Sequence, residues 1–172
     1  MADTDMQKIA LVTGASRGIG RSVVRRLARD GYAIWLNYRS RDAAANEVAS
    51  EIQQAGGMCL LKKFDVADGD AVREVLEPAL EDLDPASQQL CVLVNNAGIT
   101  RDGILAWMKN EDWSDVLDTN LNGLYHVTRT VVGRMIAQKE GRIVNMTSIS
   151  GRTGNTGQTN YSASKAGIIG FK

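Results

Sequence analysis

KIALVTGASRGIG (residues 8–20) decides the reading of the fold. KIALVT (8–13) is nearly continuous in apolar residues, the pattern of a strand covered on both faces. A glycine turn, TGASRGIG (13–20), follows at once and opens onto RSVVRRLARD (21–30), whose apolar positions have helical spacing. Strand, glycine turn and helix in that order bring a dinucleotide's phosphates to a helix N-terminus, where free N–H groups and a partial positive charge favour an anion. Gly14 permits the tight turn, Gly18 lets backbone approach a pyrophosphate, and Gly20 lets helix and strand pack closely. A glycine-rich turn also suits an ordinary strand-to-helix connection. Its place directly after the first strand favours the binding reading.

Outward from this stretch, strands and helices alternate. AIWLN (33–37) reads as a second strand, and RDAAANEVASEIQQAG (41–56) as an Ala-rich helix stopped by Gly56-Gly57. MCLLKKF (58–64) is a third strand, less buried because of its two lysines, and DGDAVREVLEPALEDL (68–83) a helix capped by Asp68 or Asp70. LCVLVN (90–95) is the fourth strand. A loop through residue 111 leads to a long helix with Trp113, Val116, Leu117, Leu121, Leu124, Val127, Val131 and Met135 at helical spacing. GRIVNMTS (141–148) is the fifth strand, and a Gly/Thr/Asn-rich loop precedes a helix beginning near Tyr161. The alternation predicts an α/β fold, a doubly wound parallel sheet of order 3-2-1-4-5, in a single domain over 1–172.

Composition narrows the partners. Twenty Lys and Arg balance twenty Asp and Glu, so no overall field points to nucleic acid or an anionic membrane. No apolar run is long enough to span a bilayer, and the first seven residues carry no signal-like core, so the expected compartment is the cytoplasm. Cys59 and Cys91 sit in apolar runs and are expected to be reduced and buried, and no metal site is expected. His126 is the only histidine, with no Ser or Asp partner pattern, and reads as a packing or surface residue.

The second strand ends in Asn37-Tyr38-Arg39-Ser40, without the acidic residue that would bind an adenine-ribose 2′-hydroxyl and repel a 2′-phosphate. Arg39, with Arg17 of the glycine turn, could face a 2′-phosphate. The expected cofactor is therefore NADP(H).

TGASRGIG, NNAG (95–98), Asn120, Ser148 and Tyr161-x-x-x-Lys165, all in order, resemble the short-chain dehydrogenase/reductase family across essentially the whole chain. More narrowly, NNAGITRDG, GRIVNMTSISG and GQTNYSASKAGIIGF are similar to 3-oxoacyl-(acyl-carrier-protein) reductases, and acetoacetyl-CoA reductases share much the same wording. The resemblance implies a catalytic tetrad of Asn120, Ser148, Tyr161 and Lys165. It implies cofactor contacts from Gly14, Ser16, Arg17, Gly18, Ile19 and Gly20, from Asn37 and Arg39, and from Asp65 and Val66 against the adenine. Asn95, Ala97 and Gly98 would line the cofactor, Asn95 also holding the central sheet, while Tyr161 and Lys165 reach the nicotinamide end. A homo-oligomer is expected, a tetramer in the family, with the small residues Ala163, Ala166, Gly167 and Gly170 allowing close helix approach.

The implied reaction is NADPH-dependent reduction of a 3-oxoacyl thioester carried on acyl carrier protein, as in fatty acid synthesis. Acetoacetyl-CoA reduction and a non-catalytic remnant that binds only nucleotide or partner subunits are the alternatives. Ketone reduction needs a hydride on carbon and a proton on oxygen, so the protein must orient the reactants and supply the proton. A phenol is a poor acid near neutrality, and an ammonium beside it favours the phenolate. Tyr161 and Lys165, four residues apart, share one helix face. By resemblance, Lys165 also reaches the nicotinamide ribose, Ser148 steadies the developing oxyanion and Asn120 holds a water that passes protons to Lys165. Trp107 is a candidate border for an acyl channel; Arg129 and Arg134, by charge alone, are candidates for carrier-protein docking. The family continues into a sixth strand, a lid and a seventh strand. The chain is thus expected to be C-terminally incomplete, with strand five an exposed edge, lowered stability and self-association.

Overall fold

A computed structural model describes residues 6–171; most of the N-terminal stretch tested for a signal, and Lys172, lie outside the described residues. The elements run β1 (Gln7–Val12), α1 (Gly18–Arg29), β2 (Ala33–Tyr38), α2 (Asp42–Gln54), β3 (Cys59–Lys63), α3 (Gly69–Glu81), β4 (Gln88–Asn95), α4 (Asn110–Leu117), α5 (Gly123–Gln138), β5 (Arg142–Asn145), α6 (Ser150–Thr153) and α7 (Thr159–Gly170). All strand pairs are parallel and the order is β3-β2-β1-β4-β5, the doubly wound α/β sheet expected from the alternation.

Pleating sorts the apolar strand residues onto two faces. Ile9 and Leu11 point to one side, where Val72 and Leu76 of α3 and Val127, Val131 and Met135 of α5 cover them. Ala10 and Val12 point to the other, packing with Val24 of α1 and Ala45, Val48 and Ile52 of α2. Burial on both faces is why β1 reads as a continuous apolar run. The chain leaves β1 toward β2 and β3, then returns on the far side through β4 and β5. The crevice at the carboxyl ends of β1 and β4 is therefore the switch point of the sheet, where open α/β folds place their ligands. Among the described residues no helix is long and apolar enough to cross a membrane, and no His/Cys/Asp/Glu cluster suits a metal. Cys59 and Cys91 are free and buried, and burial pushes the Cys59 thiol up to about 11.

Three local features differ from the sequence reading. The long helix is interrupted by a π-helical turn, Asp118–Asn122, between α4 and α5. Asp, Thr and Asn are weak α-helix formers, and apolar spacing does not register one extra residue in a turn. β5 stops at Asn145 rather than Ser148: after the Met146 amide donates to the Asn95 carbonyl at 2.9 Å, the chain turns away. A four-residue helix, α6, stands where a loop was expected; Ser148 Oγ accepts from the Ser150 amide at its start, and the segment is too short for periodicity to show. At the sheet's outer edge, Ile143 and Val144 of β5 are exposed.

Candidate active site

The glycine turn is held open by contacts that no side chain could share. Gly14 has φ +62°, and a Cβ there would lie 2.9 Å from the Ala97 Cα. A Cβ on Gly20 would meet the Asn96 Nδ2 and the Gly14 carbonyl, both at 2.6 Å, so Gly20 serves close packing of the turn against the end of β4. Gly18 has φ +56° with open space beside it. The first turn of α1 has no side-chain cap and no acidic residue, which leaves its N–H groups to an anion.

Gly14, Ser16, Arg17, Gly18 and Ile19 form one wall of a cavity of about 480 Å³, which Gly20 does not line; Asn37, Arg39, Asp65, Val66, Ala97, Gly98 and Thr119 line it further. Its size and its position at the switch point suit a nucleotide. Asn37 is buried; its Oδ1 accepts from the Gly14 amide at 3.1 Å and its Nδ2 donates to the Lys62 and Phe64 carbonyls. Its side chain is thus a brace that ties the glycine turn to β3. Arg39 lies on the rim, 3.4 Å from the Asp65 carboxylate, and Arg17 is exposed beside it. Val66 lines the cavity while packing on Gly123, where a Cβ would come within 2.7 Å.

Beside Gly98 on the cavity wall, three of the four predicted catalytic residues, Asn120, Tyr161 and Lys165, come together, while the Ser148 hydroxyl is bonded only to Ser150 among the described residues. A Cβ on Gly98 would lie 3.1 Å from Asn120 Oδ1 and 3.7 Å from Lys165 Nζ, so the three positions touch. Lys165 is 5% exposed, with its Nζ 5.6 Å from the centre of the Tyr161 ring. It donates to the Met146 carbonyl at 2.7 Å and has no ion pair among the described residues. Burial lowers its pKa from the ordinary value of 10.5. Asn120, in the π-helical turn, is 1% exposed; its Oδ1 accepts from the Ile99 amide, and its Nδ2 donates to the Ile99 carbonyl and to Ser164 Oγ. Both Nδ2 hydrogens are thereby used, and Oδ1 uses one of its two acceptor positions. Ser148 is half-buried and follows Thr147, whose hydroxyl donates to the Lys165 carbonyl at 2.8 Å, stitching the end of β5 to α7.

Asn95 does not line the cavity. Its Nδ2 donates to Thr128 Oγ1 and Asn145 Oδ1, both at 2.9 Å, joining β4 to α5 and β5. Strand alternation turns its neighbour the other way. Asn96 lines the cavity, and its Nδ2 donates to the Thr13 and Gly14 carbonyls. Sequence reasoning passed over Asn96 and Thr13, whose hydroxyl accepts from the Asn96 and Ala97 amides at 2.9 and 3.0 Å. Two adjacent asparagines at a strand end were the available signal for Asn96; nothing local marked Thr13. Arg134 is engaged with the Leu83 carbonyl and Gln138, whereas Arg129 is exposed against Tyr125. Trp107 is 79% exposed on a 3₁₀ turn, and His126 packs over Gly69.

The family model described as short chain dehydrogenase matches residues 8–172. The chain belongs to the short-chain dehydrogenase family. It is 46% identical over 166 residues to a 3-oxoacyl-(acyl-carrier-protein) reductase of Staphylococcus epidermidis, covering 96% of this chain and 66% of that protein. A reductase of the same name from Synechocystis is 46% identical over 164 residues, covering 95% and 65%. One from Haemophilus influenzae is 40% identical, covering 95% and 64%. The chain thus spans just under two thirds of the length of the relatives it matches.

Proposed function

We propose that the chain reduces 3-oxoacyl thioesters, carried on acyl carrier protein, to 3-hydroxyacyl thioesters with NADPH. The observation that carries this reading is the buried Lys165, unpaired with any carboxylate among the described residues, near the Tyr161 ring and beside Gly98, which lines a nucleotide-sized cleft. The cleft suits the cofactor because Gly14 and Gly18, both at positive φ, line it without side chains, and because α1 presents uncapped N–H groups. Gly14, Ser16, Arg17, Gly18 and Ile19 would hold the pyrophosphate side, Asp65 and Val66 the adenine, and Ala97 and Gly98 the inner side. When bound, the nicotinamide supplies the hydride.

Magnitudes favour a 2′-phosphate at the rim. The exposed Arg39–Asp65 pair is worth about 0–1 kcal/mol. A charge-assisted hydrogen bond to phosphate is worth roughly 1.5–3 kcal/mol, so a phosphate draws Arg39 away from Asp65. At the reacting end, Tyr161 gives its phenolic proton to the substrate oxygen. Lys165 stabilises the charge left on the phenol, and Ser148 donates to the same substrate oxygen. The low dielectric around Lys165 strengthens both effects.

The test is NADPH absorbance with acetoacetyl-acyl carrier protein and, separately, acetoacetyl-CoA, beside a Tyr161→Phe variant. NADPH consumption that disappears in the variant supports the reading, and faster turnover of the carrier-protein thioester supports the carrier. NADPH binding with no turnover on either thioester would instead make this a nucleotide-binding remnant.

A further inference from the structure

Asn160, beside Tyr161, is fully buried, and each polar group of its side chain is engaged. Its Nδ2 donates to the Arg101 carbonyl at 2.9 Å and to the Asp112 carbonyl at 3.0 Å; its Oδ1 accepts from the Tyr161 amide at 2.7 Å. These partners come from three segments: the loop after β4, the first turn of α4 and the first turn of α7.

The need for such a group follows from the start of α7. The first intrahelical bond runs from the Ser162 amide to the Gln158 carbonyl, so the Tyr161 amide lies among the helix's orphan donors. A cap side chain at Gln158 would ordinarily satisfy one of them, but Gln158 makes no cap bond and donates instead to both oxygens of Asp102. Asn160 accepts from the orphan amide from inside the first turn. The same side chain donates to one loop carbonyl, that of Arg101, and to one helix carbonyl, that of Asp112.

Resting on the reductase reading above, we infer that Asn160 is a positioning residue. It fixes the backbone of Tyr161 to the 99–112 segment, so that the phenol keeps its place against Lys165 while the loop that borders the site keeps its place against the phenol. Gln158 ties the same loop through Asp102, and the Gly103 amide donates to the Gly157 carbonyl at 2.8 Å, but neither touches Tyr161. Among the described residues, Asn160 is the side chain that bonds the Tyr161 amide directly to this segment; Asn120, bonded to Ile99, reaches the Tyr161 carbonyl only through Ser164.

The experiment compares Asn160→Ala with Gln158→Ala in the full chain. Steady-state kinetics, NADPH affinity and hydrogen exchange at the Tyr161 amide are read for both. Displacing a reacting group by about 1 Å can cost on the order of 10²-fold, and a fall of that order in kcat is expected for Asn160→Ala. The NADPH Kd should stay within about twofold, since Asn160 does not line the cleft. Gln158→Ala should leave kcat within about threefold and the Tyr161 amide protected, because it loosens the loop without releasing Tyr161. Equal falls in kcat for both variants, or an unchanged kcat in Asn160→Ala, would overturn the inference. If Asn160→Ala does not fold, Asn160→Ser takes its place: its shorter side chain can still accept from the Tyr161 amide but cannot span both carbonyls. Should the wild-type chain consume no NADPH with either thioester, the reductase reading falls by itself. Exchange at the Tyr161 amide then decides about Asn160, and unchanged protection in the variant rejects its role.

Discussion

The two halves of the site are held by different forces. On the cofactor side, all six residues of β2 are buried, and the glycine turn rests on a wall packed into α1 and α2, which are clamped by Arg21 to Glu47 and Glu51 and by Arg25 to Glu51. On the side of the predicted catalytic residues, three of the four residues of β5 are exposed, and Tyr161 and Lys165 are placed by a few hydrogen bonds: Thr147 Oγ1 to the Lys165 carbonyl, Lys165 Nζ to the Met146 carbonyl, Ser164 Oγ to the Tyr161 carbonyl and the Tyr161 amide to Asn160 Oδ1. Burial is non-directional and summed over many atoms, at roughly 25 cal/mol per Å². A hydrogen-bonded placement depends on each atom, and one lost partner moves the group. The cofactor wall should therefore resist single substitutions by bulk, and the catalytic end should respond to them in rate.

The largest expected effect is at Lys165. Lys165→Met should lower kcat about 10³-fold or more, since it removes the cation that steadies the phenolate. NADPH turnover under saturation checks this. The same variant reports the burial cost. With a folded-state pKa below the unfolded 10.5, both states are protonated below that lowered value, and there the folded state carries the whole desolvation penalty. Between the lowered value and 10.5 the unfolded state binds more protons, so wild-type stability from this group rises with pH. The stability of Lys165→Met relative to wild type should accordingly fall as the pH rises through this window toward 10.5 in urea melts. A constant difference would mean that Lys165 is effectively solvated.

Gly14→Ala tests the other half. A side chain in the left-handed region costs about 1–3 kcal/mol, and this one would also press on Ala97 at the cavity wall. NADPH affinity should fall by about tenfold or more for a displacement of that size, with a lower melting temperature. Unchanged affinity would show that the turn can shift without harm, against the rigid wall drawn here.

The smallest effect is expected at the exposed rim. Arg39→Ala should weaken NADPH by about tenfold, the value of one charge-assisted bond, and leave NADH nearly unchanged. Equal weakening of both cofactors would place Arg39 in structural pairing with Asp65 rather than in recognition of a 2′-phosphate.

How far the site was legible depends on what each residue does. The glycines of the turn show themselves through a spacing with a direct physical meaning; Tyr161 and Lys165 are marked by the resemblance to the family, their spacing adding only that they share a helix face. Asn95 and Asn96 are neighbours in sequence, and only the pleat of β4 decides that the first braces strands while the second faces the cavity. Asn120 carries the right identity for the family's tetrad, but the sequence does not show that its amide is occupied by Ile99 and Ser164. The π-helical turn that carries it is invisible to apolar spacing. Asn160 left no local signal, because its partners, Arg101 and Asp112, are about fifty residues away in the chain.

By itself the sequence determined the alternation of strands and helices, hence the parallel sheet and its order, because burial on two faces and helical periodicity are short-range patterns. It also determined which residue types could do the chemistry. The tertiary structure decided which of those side chains are free to act and which are held as braces. That outcome depends on hydrogen bonds between segments far apart in the chain, such as the Gly14 amide to Asn37 Oδ1 and Lys165 Nζ to the Met146 carbonyl, and no local pattern encodes them.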